Sequence, residues 1–363
     1  MKILIDLTCM SSSMSGVRRY ASCISEELLK IDNNNEYILL FHNDIYSSFI
    51  PYIDNKRITT KTICCNNNIL FKLILLPLVL YKTKADKYLF LYSKGPLFFY
   101  NKNIYNTIHD LVCWDYPKTM NFFQMIHSRL LNRQASIFSK KIITVSNFTK
   151  ERIIKILKYP KNNILVTYEG ISNSLNKNNG INYEKIKEKY NLPNSYIMTL
   201  STLEPRKNLN LLLEAFNNVH TQVDYDLVLV GERGWKIDQL FKNLNNNSKI
   251  HLTGYVNDEE AIEIYKHTKC FVFPSLYEGF GLPPLEALSL NTPVLSSDGG
   301  SLPEVLRNQA RYFKNNDLKA LENELLNLNT NIDSMPKSLD EFQIKNYNFN
   351  SAAKKLYILL NSD

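Results

Sequence analysis

Short apolar runs alternate with helical patterns along the whole of this 363-residue chain, and that alternation is what most constrains its fold. Apolar runs at 2–6, 37–41, 88–92, 104–108, 141–145 and 166–170 have strand length, while 17–30, 122–139 and 151–157 carry a helical period. The pattern repeats with strands at 196–200, 226–230, 250–252, 270–274 and 293–296 and helices at 208–219, 236–244, 258–267 and 284–290. Strands regularly followed by helices predict mostly parallel sheets. The chain is also longer than one hydrophobic core usually grows, so two doubly wound α/β domains are expected. We place them at 1–172 and 173–345, with the Asn-rich stretch 172–182 as linker. A last segment, 346–363, holds an amphipathic helix over 351–360 that is expected to pack back on the first domain.

Hydrophobic residues make up 44% of the chain and charged residues 21%, which excludes a disordered or fibrous protein. The net charge of +8 is uneven, with +11 over residues 1–172 and −3 over 173–363. A basic half suggests an anionic partner such as a membrane surface or a phosphorylated lipid. Nucleic acid is not expected, because no arginine-rich helix or paired-cysteine zinc site accompanies the charge. The six cysteines show no metal-ligand spacing and MKILIDLT reads as a strand, so free thiols in a reducing cytoplasm are expected. The apolar run 69–81 is too short to span a bilayer and contains Lys72 and Pro77. We read it first as a buried helix feeding the next strand, and second as a face seated on a membrane.

The segment 273–290, FPSLYEGFGLPPLEALSL, concentrates the chemistry. A strand runs into a loop holding Glu278, Gly279, Phe280, Gly281 and Leu282, and a helix is expected to begin near Pro283 or Pro284. Glycines let the backbone approach a ligand, and the amides and dipole of a helix N-terminus favour an anion such as a diphosphate. Glu278, on the loop, can reach a sugar; Glu286, expected in the first helical turn, can accept hydrogen bonds from ribose hydroxyls.

This stretch resembles the two-glutamate signature, eight residues apart, of the family 4 retaining glycosyltransferases, whose GT-B fold sets two Rossmann-like domains facing each other across a cleft. Residues 200–208, LSTLEPRKN, resemble the family's phosphate-binding turn, which implies Arg206 and Lys207 as donor-binding cations with Thr202 beside them. Ser201 and Thr202 stand where many members carry a further Arg. His109 and Asp110 match the family's cleft histidine and its neighbour, which implies that His109 hydrogen-bonds the donor sugar that Glu278 reaches, while Asp110 orients it or contacts the acceptor. Gly16, Arg18, Arg19 and Tyr20 resemble the acceptor-side loop, although Arg18 replaces a common second glycine. Loops 231–235 (GERGW) and 252–256 (LTGYV) resemble those around the donor nucleotide, with Tyr255 or Val256 lining the base.

The resemblance implies a metal-independent enzyme without cofactor that transfers a hexose with retention and needs no protein nucleophile. GDP-mannose is the first donor expected, with dTDP-rhamnose and UDP-hexoses as alternatives. The acceptor is expected to be a lipid-linked glycan of O-antigen or capsule synthesis, met at the inner face of the plasma membrane. Glu278→Ala and Lys207→Ala are each expected to abolish transfer without unfolding the chain. A sugar-nucleotide 2-epimerase of like architecture and an inactive nucleotide-sugar-binding, membrane-docking module are the alternatives. Two further patterns are read as structural. Asp224-Tyr225-Asp226 spells a DxD but precedes a strand, and Ser301 with Glu304 has capping-box spacing.

Overall fold

The computed structural model describes residues 1–10, 16–92, 95–171, 181–235 and 247–362. The chain divides into two compact units. The first comprises Met1–Pro117, Asn121–Gly170 and the chain from Lys345 onward; the second comprises Lys118–Met120 and Ile171–Ile344. The expected helix at 236–244 and most of the expected linker lie outside the described residues.

The first unit is built on a parallel sheet of β1 (Lys2–Asp6), β2 (Glu36–His42), β3 (Ile58–Ile63), β4 (Lys87–Phe90), β5 (Ile104–Ile108), β6 (Ser139–Thr144) and β7 (Ile164–Val166). Their order across the sheet is β3-β2-β1-β4-β5-β6-β7. The central strands are apolar on both faces, as helices on either side of a parallel sheet require: Ile3, Leu4 and Ile5 are all fully buried. One core cluster packs Leu4, Leu40 and Phe90 against Leu76 and Leu80; another gathers Ile108, Ala135, Ile142 and Ile153.

The second unit repeats the plan with β8 (Tyr196–Leu200), β9 (Asp226–Val230), β10 (Ile250–Gly254), β11 (Phe271–Phe273), β12 (Val294–Ser297) and β13 (Arg311–Phe313). Their order is β10-β9-β8-β11-β12-β13, again parallel. The helix Leu209–Val219 buries Leu212, Leu213 and Phe216 against Leu227, Leu229 and Val272. The sequence reading omits β3 and β13, which lie at sheet edges. β3 is Thr-rich and half solvated and β13 has three residues, so neither carries the apolar run of a central strand.

The helix Phe349–Ser362 packs on the helix Gly16–Ile31 of the first unit, as expected. Ala352, Ala353, Leu356 and Leu360 face inward at helical spacing, a burial worth about 1.5–3 kcal/mol for each leucine. Asn350 donates to Glu27 Oε2 at 3.0 Å, and the buried Lys87 ammonium donates to the Leu360 carbonyl, satisfying a helix end. Gly170 allows the close approach, since a Cβ there would lie 2.5 Å from the Phe349 nitrogen.

The run 69–81 is helical but is not the buried helix preferred from sequence. A short helix Asn68–Leu70, a π-helical turn Phe71–Leu75 and a helix Leu76–Lys82 bury Phe71, Leu76, Pro77 and Leu80 and leave the other face in solvent.

Candidate active site

The loop after β11 is pinned from several directions. Gly281 has φ 99° and caps the helix Leu282–Ser289, and Pro283 and Pro284 follow in its first turn. A Cβ at Gly281 would lie 2.7 Å from Leu302 Cδ2. Gly300, with φ 65°, presses on the loop so closely that a Cβ would lie 2.6 Å from both the nitrogen and the oxygen of Glu278. The Ser301 N–H donates to the Glu278 carbonyl at 3.1 Å, and Ser301 Oγ donates to that of Phe280 at 3.0 Å. Because Ser301 is turned to Phe280 and makes no cap hydrogen bond, the expected Ser301–Glu304 capping box does not form.

The helix start also corrects one expectation. It begins at Leu282, where the left-handed Gly281 permits the turn, so Glu286 falls in the second turn instead of the first. Glu286 as a residue is buried.

The second loop of the site follows β8. Pro205–Lys207 form a single 3₁₀ turn, closed by Asn208 in the left-handed region. The Leu276 N–H donates to the Arg206 carbonyl at 2.9 Å, which ties the two loops together through backbone. Arg206 Nη1 then reaches Glu278 Oε2 at 2.7 Å and the Tyr277 carbonyl at 2.9 Å. Lys207 Nζ donates to Glu278 Oε1 at 2.7 Å, and its ammonium lies 5.1 Å from the centre of the Phe273 ring. Two residues absent from the sequence reading complete the cluster. Ser275 Oγ donates to Glu278 Oε1 at 2.6 Å, and Glu204 Oε1 accepts from Arg206 Nε and Nη2. Both lie inside the quoted motif segments, but neither carries a distinctive spacing of its own.

Burial works against the charge of Glu278, yet the charges of Arg206 and Lys207, with hydrogen bonds from Lys207 and Ser275, outweigh it and hold the carboxyl down to about 2. Glu278 is therefore a carboxylate at any physiological pH. Burial and the adjacent Arg206 push the Lys207 ammonium below its usual range, and Glu278 pulls it back up. Two cations face two carboxylates, so the cluster is close to neutral.

The remaining predicted donor-side residues lie in the same unit. Gly279 is half-buried, Phe280 and Leu282 are buried, Thr202 is exposed, Tyr255 is exposed and Val256 is buried. A Cβ at Gly231 would lie 1.9 Å from the Ser201 carbonyl oxygen, so the GERGW loop needs glycine where it crosses the β8 loop. The DxD carboxylates do not converge: Asp224 pairs with Lys269 at 2.8 Å, Asp226 with His251 at 2.7 Å, and Tyr225 between them is buried.

In the first unit, His109 lies just past β5 with Nε2 2.9 Å from the Leu91 carbonyl. A carbonyl can only accept, so Nε2 carries the proton and Nδ1 faces Glu169 Oε1 at 3.5 Å. Glu169, buried in the turn after β7, has no counterpart in the sequence reading. Asp110 Oδ1 accepts from the Val112 N–H at 3.1 Å, a local turn bond. Gly16, Arg18 and Arg19 open the first helix. Tyr20, expected on the acceptor side, is instead fully buried. Its hydroxyl bonds Thr167 Oγ1 at 2.7 Å and its ring meets His109 edge-on at 4.9 Å, because the helical period turns it inward.

Residues 182–345 match the family described as Glycosyl transferases group 1. The chain is 28% identical over 346 residues to O-antigen chain mannosyltransferase B of Escherichia coli, covering 90% of each. It is 30% identical over 250 residues to O-antigen chain mannosyltransferase RfbU of Salmonella typhimurium, covering 68% of this chain and 65% of that one. Among solved structures, that of Anabaena Alr3699/HepE in complex with UDP and glucose matches over 100% of both chains, with a TM-score of 0.73 at 16% identity. That likeness is one of fold, two parallel Rossmann-like sheets as in the GT-B glycosyltransferases. The relatives lend no support to the 2-epimerase alternative. With this match on the unit that holds Glu278, Arg206 and Lys207, residues 182–345 form a group 1 glycosyltransferase domain.

Proposed function

We propose that this glycosyltransferase is a retaining, metal-independent hexosyltransferase that moves mannose from GDP-mannose to a lipid-linked glycan in O-antigen or capsule synthesis, working at the inner face of the plasma membrane. The observation that carries the reading is the cluster in which Arg206, Lys207 and Ser275 hold Glu278 as a buried carboxylate. The mannose assignment is supported by the names of two relatives that align over most of the chain. A nucleotide donor is supported by the UDP bound to the structurally similar Anabaena protein.

In this reading Arg206 and Lys207 receive the donor diphosphate and stabilise the charge that grows on it as the sugar leaves. Arg206 and Lys207, together with the N-terminus of the helix Leu282–Ser289, take the role that a metal plays elsewhere. Glu278, always ionised, lies beside the reacting sugar as a hydrogen-bond acceptor and not as a proton donor. Glu286 accepts from the ribose. No protein nucleophile is used: the acceptor hydroxyl attacks the face that the diphosphate leaves, and a donor phosphate oxygen takes its proton.

The test is transfer by the purified chain to a lipid-linked acceptor from a panel of GDP-mannose, dTDP-rhamnose and UDP-hexoses, with and without chelator. Expected is transfer of mannose, unaffected by chelator, with retained anomeric configuration by NMR. An inverted product, or preference for another donor, would overturn the corresponding part of the reading. Donor binding without product from any acceptor would identify an inactive module.

A further inference from the structure

The first unit carries apolar side chains that its own core does not use. Along the helical segment 68–82, Phe71, Leu76 and Leu80 face inward, whereas Ile69, Leu73, Ile74, Leu78 and Tyr81 stand in solvent, Ile69 at 73% exposure. On the helix Phe122–Phe138, the residues Phe123, Ile126, Leu130 and Ile137 form one stripe at three-, four- and seven-residue steps. Phe123 is 85% exposed and Ile137 69%. Tyr100 bridges the two segments: its N–H donates to Tyr81 Oη at 3.1 Å, and its ring packs against Phe138 at 4.5 Å. An apolar ridge therefore runs from one helix to the other, far more than the scattered exposed hydrophobics of an ordinary surface.

Charge around the ridge identifies what it fits. No Asp or Glu occurs from residue 55 to 85, a stretch with six Lys or Arg; none occurs from 116 to 150, which again has six. Both exposed stripes lie inside these acid-free stretches. On the second helix Arg129 and Arg133 lie over the Trp114 ring at 4.7 and 5.2 Å, beside Ile126 and Leu130 around one surface groove. Protein interfaces deplete charge at their apolar centre. An anionic bilayer draws apolar side chains into its acyl boundary and Lys and Arg to its phosphates. No described helix is long and apolar enough to cross a membrane, so the ridge would lie on the surface.

We infer that this two-helix ridge docks the first unit onto an anionic lipid bilayer. The inference gives the membrane contact of the proposed function a place on the molecule and rests on that reading for its biological sense. Lipid binding is measured without donor or acceptor, so the two fail separately.

The experiment is flotation of the full chain with vesicles of phosphatidylcholine containing about 30% phosphatidylglycerol, against pure phosphatidylcholine. Binding should be roughly tenfold or more stronger to the anionic vesicles and should weaken at about 0.5 M salt. Leu73→Ser with Leu78→Ser, and Ile126→Ser with Leu130→Ser, should each reduce it roughly tenfold. These positions are exposed, so circular dichroism and the thermal midpoint should not change. Lys82→Gln with Lys84→Gln should reduce only the anionic preference. Failure of the wild-type chain to float, or binding indifferent to every substitution, overturns the inference. So does concentration-dependent self-association that the same substitutions abolish while lipid binding stays absent, because the ridge would then belong to a second copy.

Discussion

Glu204 Oε1 accepts two hydrogen bonds from one guanidinium, from Arg206 Nε at 3.0 Å and Nη2 at 2.7 Å, which leaves Nη1 of the same group aimed at Glu278 and the Tyr277 carbonyl. A freely rotating arginine would lose conformational entropy on meeting a diphosphate; this one is already placed. Glu204→Ala should lower kcat/KM by about 10- to 100-fold, the equivalent of one charged hydrogen-bond pair. Glu204→Gln keeps an acceptor oxygen and should recover most of the loss. The effect should vanish in an Arg206→Ala background; an equal loss there would show that Glu204 acts only on the fold.

Glu278→Gln should reduce transfer by roughly 100-fold or more while leaving the chain folded, because the amide still accepts from Ser275 and from one cation. Glu278→Ala is expected to do more harm than the motif alone suggests. It strands two buried or half-buried cations and should cost about 3–5 kcal/mol, read as a lower denaturation midpoint. Near-normal turnover in Glu278→Gln would remove this residue from the reacting centre.

The depressed carboxyl of Glu278 has a defined pH signature. A group with folded pKa about 2 and an ordinary value of 4.5 stabilises the fold fully above pH 4.5, and that contribution is lost as pH falls toward 2. It amounts to roughly 3 kcal/mol. Thermal midpoints measured from pH 7 to 3 should fall less steeply in Glu278→Gln than in the wild type. Between pH 5 and 9, activity should show no inflection attributable to this carboxyl.

Gly300→Ala tests the support beneath the loop. With φ 65° and the Glu278 backbone 2.6 Å from the position of the new methyl carbon, the loop must shift. A stability loss of about 1–3 kcal/mol is expected, together with a fall in kcat beyond that of a stability-matched surface variant. Unchanged kinetics would show that the site tolerates movement of its floor.

Much of this was legible in the residues, and the exceptions have physical causes. Central strands such as β1 and β8 announce themselves because burial on both faces demands an unbroken apolar run; β3 and β13 do not, because edge strands are half solvated. The motif segments of the second unit locate the cluster, but not the direction of its side chains. Arg206 and Lys207 read as cations waiting for phosphate, whereas in the fold both already hold Glu278. Glu204 and Glu169 escaped because a lone acidic residue has no periodicity; only folding shows that each faces an arginine or a histidine. Tyr20 shows the opposite case, a residue assigned to a surface by motif that the helical period had turned into the core.

The return of the helix Phe349–Ser362 to the first unit also orders events during synthesis. The strands β1 to β7 leave the ribosome before the second unit, yet the face of the helix Gly16–Ile31 that meets this helix stays uncovered until residues 349–362 emerge, roughly ten seconds or more later. A stop codon just before this helix would spare every strand of the second unit and cripple the half translated first. Loss of this late-made helix would thus be felt as an aggregation hazard in the half of the polypeptide made before it.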